Sequence, residues 1–231
     1  MNEFVAQSAT WGVVLTLLAF GLGTWIKNRT GKAILNPLLL GSIFIMVFLQ
    51  VAKIPYSAYK ESALPVSYIL LPATVSLAIP LYEQWELLKK NTLAILGGIL
   101  AGVITSLGSI WAMSVILNLT YTQYVTLLPK SVTTAIGMDV AAELGGMGAL
   151  TGAVIILTGI VGNLTAQGVC KLFRIRLPMA KGVAIGTAAH AVGTAKALEM
   201  GEVEGAMSGL AIAVAGLLTA LLSPVFAGLP I

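Results

Sequence analysis

The sequence predicts an all-α, polytopic integral membrane protein, on three observations. Of 231 residues, 58% are hydrophobic and only 10% charged, and the mean hydropathy is +0.96. The charges fall in clumps, leaving residues 4–26, 33–52, 62–82, 91–129, 144–170 and 205–231 free of Asp, Glu, Lys and Arg. A helix needs about 20 apolar residues to cross the hydrocarbon core, and at least five of these runs are long enough. About 6–8 membrane segments follow, in one membrane domain over 1–231.

The first segment, 10–26, ends at Lys27, Arg29 and Lys32 rather than at a small-residue cleavage site, and no basic stretch precedes it. It reads as a retained helix whose basic end is cytoplasmic, with the N-terminus outside the cytosol. Segments 34–52 and 65–82 follow as crossings. Segment 92–117 contains "GGILAGVITSLG" at 97–108, small residues at close-packing spacing, which speaks for tight helix contacts and not for chemistry. Segments 147–170 and 206–228 complete the spans. The longest polar connections, near 53–62, 83–90 and 171–181, are only about ten residues, too short for a separate soluble domain.

Two further stretches, 122–138 and 182–197, are interrupted by Gly, Thr, Ala, Ser and an ionisable residue, and predict broken or re-entrant elements. If 122–138 dips in and returns, Lys171, Arg174, Arg176 and Lys181 fall on the cytoplasmic side with Lys27 to Lys32 and Lys89 to Lys90. Internal similarity supports the parsing. "LPATVSLAIP" at 71–80 aligns without gaps on "LPKSVTTAIG" at 128–137, a shift of 57. Ala135, Ile136, Gly137 and Glu143 fall, shifted by 56, on Ala191, Val192, Gly193 and Glu199, and "GALTG" at 148–152 meets "GAMSG" at 205–209. Three diverged units of about 57 residues are expected, the alternative being the recurrence of Ala, Gly and Ile in any membrane chain. Repeats of this kind build transporters whose interrupted helices meet near the midplane.

Backbone groups inside a bilayer must be bonded, so non-helical chain persists there only inside protein or along a wet cavity. Pro129 fits the first turn of a helix, so a half-helix is expected to begin there. Its free N–H groups would lie beside Lys130, Ser131, Thr133 and Thr134, a combination suited to a small anion. The alternative has Lys130 snorkelling to a headgroup and the threonines bonding their own helix. In "GTAAHAVGTA", 186–195, Thr187, His190 and Thr194 form a second polar set around the only histidine, a candidate ligand contact or proton-coupling group. A packing histidine bonded to a neighbouring helix is its alternative. Asp139 and Glu143 are candidates for a gate or proton site, or else helix-end charges. Asn163 either bonds between helices or belongs to the ligand path.

Other chemistries are not indicated. The net charge of +4 is distributed as positive-inside topology requires, so no nucleic-acid role is expected. Cys170 is the single cysteine, which leaves no disulfide, and one histidine without cysteine or carboxylate at ligand spacing gives no metal site. No G-x-S-x-G, HExxH or Walker loop occurs, so neither an enzyme nor a cofactor is expected.

With those motifs in view, the chain resembles the LrgB/CidB family, called antiholin-like or murein-hydrolase regulators in bacteria. The resemblance rests on "NPLLLG" at 36–41, "LPATVSLAIPLY" at 71–82, "LPKSVTT" at 128–134, "GNLTAQG" at 162–168 and "GTAAHAVGTAKALE" at 186–199. The family usually continues the two threonines with proline, whereas this chain has Ala135. The resemblance implies a multi-pass protein of the bacterial cytoplasmic membrane, encoded beside a small LrgA/CidA-type partner likened to phage holins. Plant relatives fuse both halves and export glycolate and glycerate from plastids, and bacterial pairs have been tied to pyruvate uptake. What is expected is therefore a homo-oligomeric, dimeric carrier for a small carboxylate, with Lys130, Ser131, Thr133 and Thr134 on the carboxylate and His190 facing it. The rival is a holin-like pore or pore modulator controlling autolysis, whose polar stripe along a regular helix is not evident here.

Overall fold

The computed structural model describes residues 10–31, 35, 37–76 and 78–231. The start of the chain, Lys32, Asn36 and Leu77 lie outside the described residues, and so does the expectation placing the first residues outside the cytosol. The described residues are helical throughout and divide into two compact units, one ending at Ser76 and one running from residue 77 to Ile231.

The first unit holds α1 (Trp11–Thr30), α2 (Pro37–Val51), α3 (Tyr56–Ser62) and α4 (Leu64–Ser76). Helix α1 closes on Gly31, whose φ of 64° lets its N–H reach the Lys27 carbonyl at 2.8 Å. Small residues let α1 and α2 touch: a Cβ on Gly23 would lie 2.8 Å from the Pro37 carbonyl, and Gly41 sits against the Ala19 backbone. Short α3 is tied to α1 by the Thr16 and Tyr59 hydroxyls, 2.8 Å apart.

The second unit holds α5 (Ala78–Glu83), α6 (Trp85–Ile116), α7 (Tyr121–Leu127), α8 (Thr134–Glu143), α9 (Gly148–Leu172), α10 (Pro178–Met200) and α11 (Glu202–Ala227). Among the described residues α6, α9 and α11 are long and apolar enough to cross a membrane, and α2 is a shorter apolar helix. The architecture is that of an all-α polytopic membrane protein. Segment 65–82, expected as one crossing, is helical on both sides of Leu77, as α4 up to Ser76 and α5 from Ala78.

Both interrupted stretches reverse direction. Between α7 and α8, residues 128–133 are turn and extended chain. Beyond them the chain comes back, so that Met147 N donates to the Thr126 hydroxyl at 2.9 Å. Helix α10 breaks at His190, at φ 42° and ψ −137°. In a straight helix, residues eight apart are about 12 Å apart along the axis, yet a Cβ on Gly193 would lie 3.1 Å from the Ile185 carbonyl oxygen. The two arms of α10 therefore fold against each other as a helical hairpin. Its mouth is closed by Lys181 Nζ, 3.7 Å from Glu204 Oε1 at the start of α11.

The two hairpins approach from opposite ends of α6. The outgoing arm of α10 runs parallel to α6, with Val183 against Gly98 and Thr187 against Gly102. Helix α7 starts just past the far end of α6, and its Tyr124 hydroxyl donates to the Phe226 carbonyl at the end of α11, at 2.8 Å. A buried apolar core of Ile99, Val103 and Leu107 from α6, Tyr124 and Leu128 from the first hairpin, and Met207 and Ala211 from α11 holds this arrangement.

Candidate functional site

The turn of the first hairpin lands on the middle of α6. Lys130 Nζ donates to Ser131 Oγ at 2.9 Å and to Ser106 Oγ at 3.4 Å, and the two serine hydroxyls are 3.1 Å apart. Ser131 is buried and Lys130 partly so. No carboxylate lies within ion-pair distance of Lys130 among the described residues. A partly desolvated ammonium held only by neutral hydroxyls keeps an uncompensated charge, and favours an anion beside it.

These groups line a cavity of about 420 Å³. Helix α6 contributes Gly98, Gly102, Thr105, Ser106 and Ser109, and the outgoing arm of α10 contributes Ala184, Thr187 and Ala188. Thr187 is 5% exposed, and its hydroxyl has no hydrogen-bond partner among the described residues. A buried hydroxyl without a partner costs about 1–3 kcal/mol, so the cavity offers one amine and an unsatisfied hydroxyl to whatever enters it.

The remaining sequence candidates stand elsewhere. The half-helix expected from Pro129 begins instead at Thr134, with Thr133 as its extended N-cap. Pro129 is buried inside the turn, because residues 128–131 close a tight turn in which Lys130 N reaches the Leu127 carbonyl at 3.2 Å. The free N–H groups of α8 thus begin beyond Lys130 and Ser131 rather than beside them. Thr133 and Thr134 are partly buried and outside the cavity wall, Thr134 packing toward Gly152 of α9.

His190 is 3% exposed, and its Nε2 pairs with the Ile155 carbonyl of α9 at 3.0 Å. Its ring is turned to α9 rather than to the Lys130 cavity. Around it, Thr194 Oγ1 donates to the His190 carbonyl at 3.0 Å and lies 2.7 Å from Ser208 Oγ, while Asn163 Nδ2 donates to the Val192 carbonyl at 2.9 Å. Thr194, Asn163 and His190 thereby satisfy backbone and side-chain groups at the break. Asp139 and Glu143 are exposed on α8, outside the cavity.

Sequence reading had missed Ser106, Thr105 and Ser109. They lie in the "GGILAGVITSLG" stretch or just after it, where the spacing Gly98, Gly102, Ser106 puts one small or hydroxyl residue on each successive turn of a single face. That stripe was legible, but close packing alone explains such stripes.

No solved structure matches this chain. Among curated relatives, the proteins titled "Antiholin-like protein LrgB" from Bacillus mycoides (strain KBAB4), Bacillus cereus (strain B4264) and Bacillus anthracis (strain CDC 684 / NRRL 3495) are each 36% identical over 217 residues, covering 94% of this chain and 94% of theirs. The model of the LrgB-like family matches residues 16–229. The chain, whose described residues form two reversing hairpins among three helices long and apolar enough to cross a membrane, thus belongs to the LrgB-like family.

Proposed function

We propose that the chain is a carrier for small monocarboxylates such as pyruvate or glycolate in the bacterial cytoplasmic membrane, multi-pass, with no catalytic step of its own. One observation carries the reading: the Lys130 ammonium, bonded only to the Ser131 and Ser106 hydroxyls, beside a cavity of about 420 Å³ between two chain reversals. The substrate carboxylate takes the amine and the two serines, and the Thr187 hydroxyl is the remaining group able to meet the rest of a small ligand. A site of this kind between broken helices suits alternating access, in which one hairpin opens while the other closes. Asp139, Glu143 and His190 remain the groups for a gate or proton coupling, with His190 acting through the α9 backbone. The carrier works as a homodimer beside a small LrgA-type membrane partner.

Reconstituted protein is expected to take up labelled pyruvate or glycolate saturably, and Lys130→Ala to reduce uptake by about 10- to 100-fold, the worth of one charge-assisted hydrogen bond set. Uptake unchanged by Lys130→Ala would remove the site.

The antiholin-like name that the relatives carry favours a second reading, a pore or pore modulator, for which control of autolysis is our proposal. A pore would pass unrelated solutes without saturation, so leakage of a neutral sugar at the same rate as pyruvate decides for it.

A further inference from the structure

We propose that a second cleft, at the mouth of the α10 hairpin, is a binding site for a phosphate-bearing anion. It measures about 640 Å³ and lies where the end of α9, the loop after it, the first turns of α10 and the start of α11 meet. Its charged lining is Lys171, Arg174, Arg176 and Lys181 against Glu199 and Glu204. Both acids are already engaged: Glu204, 7% exposed, with Lys181 at 3.7 Å, and Glu199 with Lys196 at 2.8 Å. No carboxylate lies within ion-pair distance of Lys171, Arg174 or Arg176 among the described residues.

Positive-inside topology accounts for basic residues in this loop, but not for their closing round a concave site. Three like charges brought together repel one another, and a multivalent anion relieves that repulsion. Two guanidinium forks and an ammonium match the several acceptor oxygens of a phosphate better than the two of a carboxylate. The backbone that carries the first fork is held in place: Arg174 has φ 56°, and the following Ile175 N bonds the Cys170 carbonyl at 2.8 Å, closing the end of α9. The cleft sits at the ends of helices, and it is at the ends of spanning helices that basic pockets take anionic headgroups. The phosphate comes either from such a headgroup or from a soluble phosphate. In either case it bridges the α9–α10 loop to the hairpin mouth tied by Lys181 and Glu204, and so restrains the hairpin's opening.

The test uses the full chain in detergent and in bilayers. Thermal unfolding is followed against inorganic phosphate in detergent, and in nanodiscs of phosphatidylcholine with and without one-quarter phosphatidylglycerol. The wild type is expected to gain stability with at least one ligand. Stabilisation by phosphate in detergent identifies a soluble anion, and stabilisation by phosphatidylglycerol alone identifies a headgroup. Arg174→Gln with Arg176→Gln is expected to weaken the response at least about tenfold. Both side chains are exposed, so removing two mutually repelling charges should leave the ligand-free unfolding midpoint unchanged or raise it, and Lys171→Gln provides an independent second variant. No stabilisation by either ligand, or equal stabilisation of wild type and variants, overturns the proposal.

Discussion

Thr187 offers the sharpest test among single side chains. Its hydroxyl is buried without a partner among the described residues, so replacing it by the equally sized valine removes an unsatisfied group rather than a bond. Thr187→Val is expected to leave the thermal midpoint of the ligand-free protein unchanged or to raise it, while weakening substrate about tenfold in uptake KM. A lowered midpoint with unchanged KM would show that the hydroxyl serves only the fold. His190 teaches the opposite lesson. Its isolation among small residues marked it as special in the sequence, and it is special, but as the residue on which the backbone turns, with its ring bonded to the Ile155 carbonyl. Sequence alone could not separate these roles, because the left-handed φ of a non-glycine residue is imposed by the arms packed on either side.

The helical hairpin is the element that matters, and the chain builds it twice in related ways. A Cβ on Gly137 would lie 3.1 Å from the Pro129 carbonyl oxygen, and one on Gly193 3.1 Å from that of Ile185. Each contact spans eight residues, and the two glycines are the pair that the shift of 56 superposes. Helix α8 begins at Thr134 and the returning arm of α10 just after His190, an interval one residue longer. Both breaks fall in the stretches where small and polar residues interrupt the apolar pattern. The register of the first break was misjudged because proline marks only where a helix is able to start, whereas the turn around Lys130 is set by contacts with α6. Gly193→Ala places a methyl 2.6 Å from the Ala189 Cβ, and is expected to destabilise the protein by about 1–3 kcal/mol in thermal unfolding, the usual range for overpacking. Gly168→Ala in α9, with open space around it, should leave stability unchanged or increase it.

For the whole molecule the prediction concerns sidedness. The hairpins enter from opposite ends of α6, so the loop with Arg174 and the turn at Asn118 belong on opposite faces of the membrane. Single cysteines introduced at Arg174 and Asn118, with buried Cys170 replaced by serine, are expected to react with an impermeant maleimide from opposite sides, Arg174 from the cytoplasm. Labelling of both from one side would contradict the re-entrant reading. The sequence by itself determined that the chain is an all-α membrane protein, with three of its expected spans on helices long enough to cross and two stretches interrupted, because transfer of a segment into hydrocarbon depends on that segment's own composition. Only the tertiary structure decided that Lys130, Ser131, Ser106 and Thr187 share one cavity while His190 turns away. Those residues come from three stretches distant along the chain, and which hydroxyls meet is fixed by how helices with small-residue faces pack, a property no single stretch contains.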